Sequence, residues 1–483
     1  MTSSNLSPRG RSAAQSFASL TKLAKVMRNI YDPETNPDGI VFLGLADNAV
    51  LRPEILEYFN STPLRLTGPE MTYADRVCAQ SSVLKALAHL YNTVPDGLDS
   101  STFEARRKPL VPVIEDHLSV GSGASGILDS LMSCIADEGD GILLTTPYYN
   151  GFDHDIGARA QLRVVPVLLD PLSTTTKFSD SGLSGQPCFE TGFLDHYEHA
   201  LTKAEKEGIK VRVLLLCNPH NPTGAILSRT AVIKLCKFAA KHNLHLVSDE
   251  IYSRSIFATA VVPNPNEFHS VLSIDVLAEA GLNPAYVHVV DSMSKDFNTN
   301  GFRVGVLISQ HNPELMVAML SYSLFSQPGS VAGAMWRDWI YDKEFLSWYL
   351  KENLHRLRDM FEYVARWLSH HSIPYTPCNA GHFLLIDLSK FLPSPTHKEE
   401  DHLLDRMIDD KVFVAPGAQY HTTTGGFYRL TFSQPPGIVK EGLKRLETTL
   451  GLDSWITEQP VPDWSGRHRQ QILDRRVESL SLA

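Results

Sequence analysis

The chain has 483 residues, which is long enough for two or three lobes around a large buried core. With 43% hydrophobic and 20% charged residues it has the composition of an ordinary globular protein, and no apolar stretch approaches the length of a membrane span. The net charge of -10 at pH 7 argues against nucleic acid or an anionic membrane surface as the main partner, so we expect a small-molecule ligand.

The cysteines and the N-terminal residues bear on the cellular compartment. Six cysteines are scattered without a C-x-x-C pair, which is typical of a reducing compartment and indicates neither a disulfide frame nor a metal site. The first 31 residues contain basic residues and serines but no Asp or Glu, as mitochondrial presequences do. A basic amphipathic helix is the simpler interpretation. We therefore expect a cytoplasmic protein, with mitochondrial targeting as the alternative.

The stretch GSGASG, at Gly121–Gly126, lies where a strand is expected to lead into a helix. His117–Val120 reads as a short strand, and apolar residues recur at helical spacing from Ile127 to Ile135. Backbone N–H groups at such a helix N-terminus bind phosphate. A dinucleotide site would also need an acidic residue about 20 residues on, but the next apolar run, Ile142–Thr145, leads into TPYY. The pattern predicts a phosphate site and disfavours a dehydrogenase.

From about residue 117, short apolar runs alternate with helical stretches, as in parallel βαβ units. Strands as continuously apolar as these are covered by helices on both faces, and ligands bind at the carboxyl edge of the sheet. The predicted strands are Ile142–Thr145, Leu162–Leu169, Val213–Cys217, Leu244–Ser248, Tyr286–Val290 and Val304–Ile308.

A second lobe is expected between about residues 330 and 450. A helical stretch around Phe345–Ser369 is followed by strand-like runs. Two segments read as peripheral: a loop insertion at 171–192, rich in Ser, Thr and Gly, and a polar tail after Leu452 that contains two tryptophans and a possible helix at Arg467–Ser479. The strand-like runs are His382–Leu388, Val412–Pro416 and Phe427–Phe432.

Polar groups follow several of the predicted strands at the same edge of the sheet. They include NPHNPTG (Asn218–Gly224), DEIY (Asp249–Tyr252) and DSMSKDFNTNGFRVG (Asp291–Gly305). Each has an ordinary explanation alone, as a helix cap, a solvated charge or a tight turn. A phosphorylated aromatic aldehyde that is bound as a lysine imine requires a phosphate site together with an Asn, an Asp, a Tyr, a Lys and an Arg.

These motifs resemble those of the fold-type I pyridoxal-phosphate enzymes in aminotransferase class I/II, and most closely the 1-aminocyclopropane-1-carboxylate synthase-like proteins. The resemblance runs from about Gly39 to Leu450 through GIVFLGLADN, TTPYYNGFD, CNPHNPTGA, SDEIY, SMSKDFNTNGFRVG and FYRLTFS. It implies an α/β fold with a mostly parallel seven-stranded sheet in a large domain and a smaller α+β C-terminal domain. It also implies pyridoxal 5'-phosphate as cofactor, an amino-acid substrate and a homodimer with shared active sites.

The resemblance also implies domain limits. Residues 1–65 would form an N-terminal arm and part of the small domain, and 66–328 the large cofactor-binding domain. Residues 329–451 would complete the C-terminal small domain, and 452–483 would form the tail.

Roles for the cofactor residues follow from the matching motifs. Lys295 resembles the lysine that forms the Schiff base and then moves the Cα proton. By the same resemblance Asp249 would face the pyridine nitrogen, Asn221 and Tyr252 would bind the ring's phenolic oxygen, and Tyr149 would stack on the ring. The phosphate would be held by Ala124, Ser125, Ser292, Ser294 and Arg303. A nucleophilic role for Ser125 is the rival interpretation, but the local sequence suggests no His or Asp partner.

Three further residues are matched to the substrate side. Arg429, in FYRLTFS, resembles the arginine that grips the substrate α-carboxylate. Asp47, in GLADN, stands where the cyclopropane-forming enzymes carry a functional glutamate. Tyr73, in MTYAD, is a candidate for the tyrosine that the partner subunit lends to the site.

The resemblance leaves the reaction open among transamination, elimination and cyclopropane closure. The chain departs from the cyclopropane-forming enzymes at Asp47, at Asn150 and His154, and at Phe297–Asn300, where those enzymes have LGLP. Transamination of an α-amino acid is therefore our first expectation, and carbon–sulfur elimination in a biosynthetic pathway the second. A non-catalytic relative that keeps the fold for binding would be expected to lack Lys295 or Asp249, and both are present.

Overall fold

A computed structural model describes most of the chain. The described residues are 5–8, 10, 11, 14, 21–61, 64, 66–77, 79–94, 106–169, 192–262 and 265–465. The predicted insertion at 171–192, except for its last residue, and the predicted helix at Arg467–Ser479 lie outside the described residues.

Within the described residues, the strands form one large and two small sheets. They are β1 (Val41–Phe42), β2 (Leu118–Ser122), β3 (Gly141–Thr146), β4 (Arg163–Leu168), β5 (Val211–Cys217), β6 (His245–Asp249), β7 (Val287–Ser292), β8 (Val304–Ile308), β9 (Phe383–Asp387), β10 (Val412–Phe413), β11 (Ala415–Pro416) and β12 (Phe427–Thr431).

The α-helices cover these sheets or connect their strands. They are α1 (Thr21–Met27), α2 (Arg52–Ser61), α3 (Ser81–Asn92), α4 (Gly123–Ile135), α5 (Phe152–Gly157), α6 (Phe193–Lys206), α7 (Arg229–His242), α8 (Val276–Ala280), α9 (Pro313–Ser326), α10 (Ser330–Tyr341), α11 (Lys343–His370), α12 (His397–Asp409) and α13 (Pro436–Leu450). Among the described residues, no helix is long and apolar enough to cross a membrane.

The large sheet has seven strands in the order β2-β8-β7-β6-β5-β3-β4, and helices cover both of its faces. Side chains alternate between the faces: Ile142 and Leu144 pack with α4 and α9 in one buried cluster, and Leu143 belongs to the main core on the other face. Strands buried on both sides are uniformly apolar for this reason, which is why the sequence shows them as continuous runs. The predicted mostly parallel, helix-covered seven-stranded sheet is confirmed.

Strand β8 is the exception to the parallel arrangement. It runs antiparallel to both of its neighbours, β2 and β7. The expectation that every run in the series belongs to a parallel βαβ unit is therefore wrong for Val304–Ile308, because β7 and β8 are joined by Met293–Arg303 without an α-helix to carry the chain back across the sheet. As a result, the edge of the sheet at which β8 begins is the edge at which the other strands end.

A smaller lobe is built on the antiparallel sheet β11-β12-β9 and on the parallel pair β1-β10. The predicted strand Val412–Pro416 is in fact two strands, because its two halves pair with different partners: Val412–Phe413 with Val41–Phe42, and Ala415–Pro416 with β12. Pairing with β1 joins the N-terminal segment to this lobe. The domain limits at 66, 329 and 452 remain predictions.

The start of the tail packs on the smaller lobe. The Ile456 side chain is fully buried, and its backbone N–H donates to Glu447 of α13 at 2.9 Å. The Trp455 ring stacks on His370 at the end of α11, and Trp464 Nε1 donates to Asp359 of the same helix at 3.1 Å. Residues 452–465 are thus part of this lobe's packing.

Candidate active site

Lys295 lies on the connection between β7 and β8, at the carboxyl edge of the large sheet. Its Nζ donates to the carbonyl oxygen of Ala46 at 2.5 Å. Burial lowers the pKa of Lys295 to about 8, with a further lowering from the positive charges of Arg429 and Arg303. The carboxylates of Asp47 and Asp249 act in the opposite direction. An amine with such a pKa is partly unprotonated near neutral pH and can act as nucleophile or base.

Asp249 is the last residue of β6, and its side chain is buried. The carboxylate accepts a hydrogen bond from the Ile251 backbone N–H at 3.2 Å. Burial raises the pKa of Asp249 to about 7, and the negative charges of Asp291, Asp155 and Glu250 raise it further. A cationic ring nitrogen placed against this carboxyl would relieve both effects, so Asp249 fits the pyridine nitrogen of pyridoxal phosphate.

The predicted phosphate site is the junction of β2, α4 and the start of β8. Helix α4 begins at Gly123, whose N–H donates to the Arg303 carbonyl oxygen at 3.0 Å. The preceding Ser122 makes no side-chain cap, so the next N–H groups of the first turn, those of Ala124 and Ser125, can bind an anion. The Arg303 guanidinium donates to the carbonyl oxygens of Asn300 at 2.9 Å and Ser122 at 3.3 Å. A side chain at Gly123 would collide with it, since a Cβ there would lie 2.2 Å from Arg303 Nη2.

The predicted phosphate-binding serines lie on both sides of this junction. Ser292 ends β7 with its side chain buried, and its Oγ accepts a hydrogen bond from the Ser294 backbone N–H at 3.0 Å. Ser125, in the first turn of α4 next to Ala124, hydrogen-bonds to Asp155. A helix N-terminus, hydroxyl groups and a guanidinium fit a phosphate dianion.

Arg429, on β12 of the smaller lobe, is almost completely buried, with 3% of the residue exposed. It donates to Asn221 Oδ1 at 3.0 Å and to the Gly44 carbonyl oxygen at 2.6 Å. The guanidinium carbon lies over the rings of Phe383 and Tyr420, 4.6 and 4.8 Å from their centroids. Its Nε has no hydrogen-bond partner among the described residues. A buried guanidinium whose oxygen partners are neutral fits a carboxylate ligand.

Two tyrosines lie within electrostatic reach of Arg429 and Asp249. Tyr252 is buried, packs edge-on against Phe383 and His382, and has a pKa raised well above its usual value, mainly by burial. Burial also raises the pKa of Tyr149 to about 12. Both phenols therefore keep their proton near neutral pH and can donate hydrogen bonds or offer a ring face.

Asp47 lies beside this group with its side chain already bonded. The carboxylate pairs with Arg52 and accepts a hydrogen bond from Asn300 Nδ2 at 3.1 Å. The Asp47 carbonyl oxygen accepts from Ser433 Oγ at 3.0 Å and Gln434 Nε2 at 2.6 Å. Tyr73 is different: it is 93% exposed in the single chain. The structure thus brings the other predicted site residues to one edge of the large sheet and leaves Tyr73 on the surface, while the role of each remains a prediction.

Sequence reasoning missed three features that contact or neighbour this group: Asp155, His382 and a buried ion pair. Burial raises the pKa of Asp155 to about 6, and the side chain bonds Ser125. Fully buried His382 contacts Ser255 Oγ through Nε2 at 3.2 Å, and its pKa lies well below the usual value because of burial and the charges of Lys295 and Arg429. Asp155 follows YYNGFD and His382 precedes the strand of the smaller lobe, so proximity to a motif was the only available signal.

Beneath the Lys295 connection lies the third missed feature, a buried ion pair. Arg254 Nη1 donates to Asp291 at 3.1 Å, and its backbone N–H donates to Asp296 at 2.7 Å. Asp291 also accepts a hydrogen bond from the Tyr91 hydroxyl at 2.9 Å. Because Asp291 and Asp296 bracket Ser292–Lys295 along the chain, these bonds fix both ends of the stretch that carries the reactive amine.

Comparison with known proteins identifies relatives along almost the whole chain. Residues 79–446 match the family described as aminotransferase class I and II. A 1-aminocyclopropane-1-carboxylate synthase of Glycine max is 30% identical over 462 residues, covering 94% of this chain and 90% of that protein. A protein named a probable aminotransferase, from Aspergillus fumigatus, is 29% identical over 414 residues, covering 84% of this chain and 88% of that protein.

Solved structures share the fold. Aspartate aminotransferase from Thermus thermophilus with maleate aligns with a TM-score of 0.64 at 18% identity, covering 92% of this chain and 100% of that chain. A putative kynurenine aminotransferase from Saccharomyces cerevisiae aligns with a TM-score of 0.65 at 18% identity, covering 86% and 92%. The expected family, fold and cofactor are confirmed.

The contact between Gly123 and Arg303 predicts a selective defect in cofactor binding. In Gly123→Ala the methyl group displaces the Arg303 guanidinium, so the dissociation constant for pyridoxal phosphate should rise by about tenfold or more. Gly139→Ala is the matched control, because Gly139 also has a positive φ, +85° against +71°, but its Cβ would meet open space. Fluorescence titration of the cofactor-free proteins measures both constants, and equal values for the two variants would contradict the predicted phosphate site.

The lowered pKa of Lys295 predicts a pH dependence. Only the unprotonated amine reacts with an aldehyde, so association of pyridoxal phosphate with the cofactor-free protein should speed up with pH, with a midpoint near the Lys295 pKa of about 8. Asp47→Asn should lower this midpoint and Arg429→Gln should raise it, because the two charges act on Lys295 in opposite senses. Stopped-flow absorbance measures the midpoint, and a value near that of free lysine, about 10.4, would contradict this assignment.

Proposed function

The chain belongs to the aminotransferase class I and II family of pyridoxal-phosphate enzymes, and from this premise we propose that it transaminates an α-amino acid. The alternative is a carbon–sulfur lyase that eliminates a β-substituent, and a lyase of the cyclopropane-forming kind is a third candidate.

Lys295 and Asp249 serve the deprotonation. When bound, pyridoxal phosphate supplies an aldehyde that condenses with amines and a ring that accepts the electron pair left on Cα. We assign Lys295 Nζ as the base that removes the Cα proton, since its lowered pKa keeps it partly unprotonated. Asp249 would hold a proton on the ring nitrogen, and the cationic partner would keep the Asp249 carboxyl ionised despite its burial.

Arg429 would orient the substrate. Its bonds to Asn221 Oδ1 and the Gly44 carbonyl oxygen are made to neutral acceptors, which a carboxylate can replace with stronger, charge-assisted bonds. Arg429 bonds only Oδ1 of Asn221, so the Asn221 Nδ2 group would be the donor to the phenolic oxygen of the ring. A carboxylate held at two points fixes the direction of the Cα–H bond relative to Lys295.

The bonding of Asp47 is the single observation that favours transamination. A transaminase needs one group that moves protons at the reacting carbons, whereas elimination benefits from a second acid near the departing substituent. Lys295 supplies the first group. Asp47 stands where the cyclopropane-forming enzymes carry a functional glutamate. Its carboxylate is already bonded to Arg52 and Asn300. These two bonds disfavour a role for Asp47 as the second acid.

The reaction is tested by the visible spectrum of the cofactor-loaded enzyme mixed with amino acids and S-substituted cysteines, without an oxo-acid acceptor. A transaminase converts its cofactor once and stops, so the absorption band of the loaded enzyme should disappear stoichiometrically without ammonia release. Lys295→Ala should show no such change. Return of the band while ammonia and an oxo acid accumulate over many turnovers would instead identify a lyase.

We also propose a homodimer in which Tyr73 enters the partner's site. Tyr73 is 93% exposed and lies in sequence beside Met71, which is 83% exposed, and apolar exposure of this kind favours an interface. On this proposal Tyr73→Ala and Lys295→Ala are each inactive. Their mixture should regain up to about a quarter of wild-type activity, because statistical mixed dimers contain one intact site. Activity that stays at the level of the unmixed variants would contradict a shared site.

A further inference from the structure

At the rim of the candidate site, side chains of the two lobes meet in a small cluster. The Tyr148 hydroxyl donates to Asp153 Oδ1 at 2.8 Å, and His421 Nε2 contacts Asp153 Oδ2 at the same distance. The rings of Tyr148 and His421 stack with centroids 4.3 Å apart and planes inclined by 20°. Tyr148 and Asp153 flank the start of α5 in the large lobe and His421 belongs to the smaller one. We call these three residues the rim clasp.

The rim clasp is connected to the substrate arginine through Tyr420. The Tyr148 backbone N–H donates to the Tyr420 carbonyl oxygen at 3.0 Å, and Arg429 lies over the Tyr420 ring. His421 follows Tyr420 directly and adopts a left-handed backbone, with φ of +60°. Tyr420 is therefore held between Arg429 on one side and the rim clasp on the other.

The large-lobe side of the rim clasp is connected to the cofactor site. Tyr149, the predicted stacking residue, follows Tyr148 along the chain, and its ring packs edge-on against Phe152, beside Asp153. A displacement of the Tyr148–Asp153 turn would therefore move Tyr149, and a displacement of His421 would move Tyr420. The rim clasp connects these two sides.

Charge supports this contact. Burial alone would raise the pKa of Asp153, but hydrogen bonds from His421 and Tyr148 lower it below its usual value, so the side chain stays ionised and attracts both donors. The His421 and Asp153 side chains are each 39% exposed. A polar contact as exposed as this contributes little to folding, which leaves room for a role in positioning.

We propose that the rim clasp is a positioning element that sets the separation of the lobes at which Arg429 reaches the substrate carboxylate. This proposal rests on the proposed amino-acid substrate. The rim clasp touches neither the reacting carbon nor the cofactor, so it should act on substrate binding and leave deprotonation by Lys295 unchanged.

Three variants test the proposal in the cofactor-loaded enzyme. His421→Ala should raise the KM for the amino-acid substrate by about tenfold with kcat changed less than about twofold, as expected when uniform binding is lost. His421→Gln, whose amide can still donate to Asp153, should recover most of the loss. The double variant His421→Ala with Asp153→Ala should be no worse than His421→Ala alone, because the two residues act as one unit.

His402→Ala is the matched control. His402 is 55% exposed and contacts Glu399 Oε2 at 3.3 Å within α12, so this change also removes an exposed histidine from a carboxylate. It should leave KM, kcat and the unfolding midpoint unchanged. His421→Ala should likewise leave the unfolding midpoint unchanged, because the contact that it removes is exposed.

Two readouts separate the rim clasp from catalysis. Binding of 2-aminoisobutyrate, which has no Cα proton, is followed by the visible spectrum and should weaken in His421→Ala by the same factor as KM. Hydrogen exchange of the cofactor-free protein should speed up at residues 148–153 and 417–421 in His421→Ala and not in His402→Ala.

The outcomes distinguish this proposal from the proposed function. If the wild-type enzyme neither binds 2-aminoisobutyrate nor acts on any amino acid, the amino-acid function fails, and hydrogen exchange alone reports whether the rim clasp joins the lobes. If the wild-type enzyme binds it and His421→Ala binds it equally well, the positioning role is overturned. A fall in kcat and in the unfolding midpoint together would also overturn it, since that result indicates a merely structural contact.

Discussion

The buried guanidinium of Arg429 is the interaction on which the site depends. A guanidinium taken out of water is costly unless its protons are bonded, and here two oxygens and two aromatic faces only partly compensate. Those oxygens belong to the loop after β5 and to the segment after β1, so one side chain ties three distant parts of the sequence together. Its Nε has no hydrogen-bond partner within the part of the chain that the structure describes, so the arrangement is incomplete without an anion.

Burial also acts on two other ionisable groups of the site, Lys295 and Asp249. Burial lowers the pKa of Lys295 to about 8 and raises the pKa of Asp249 to about 7. The pKa values of a base and an acid, which ordinarily differ greatly, are therefore both near 7 to 8. The same low polarity strengthens every bond to a bound anion. Arg429, Lys295 and Asp249 come from three elements, and the protein excludes water from all of them together.

The sequence predicted most of the large sheet to within a residue or two, because strands covered on both faces must be apolar throughout. It also placed Asp249, Lys295 and Arg303 at one edge, since polar groups after such strands stand out. The direction of β8 and the division of Val412–Pro416 depend on which distant strand pairs with which, and a local pattern carries no such information. The hydrogen bond from Asn300 to Asp47 could not be predicted for the same reason, because most of the large lobe's sequence lies between the two residues.

The reversal of β8 has a consequence for how this scaffold can change over evolution. Because β7 and β8 are joined by Met293–Arg303 alone, the residues assigned to the anion and the reactive amine share one short covalent loop. Their spacing is set by the covalent chain and by the hydrogen bonds of Arg254 to Asp291 and Asp296, whereas the walls of the site, meaning the side chains around them, come from other elements. Substitutions in the walls can therefore accumulate without disturbing that spacing, so new substrates and even new reactions are accessible to the lineage while its reactive core is inherited intact.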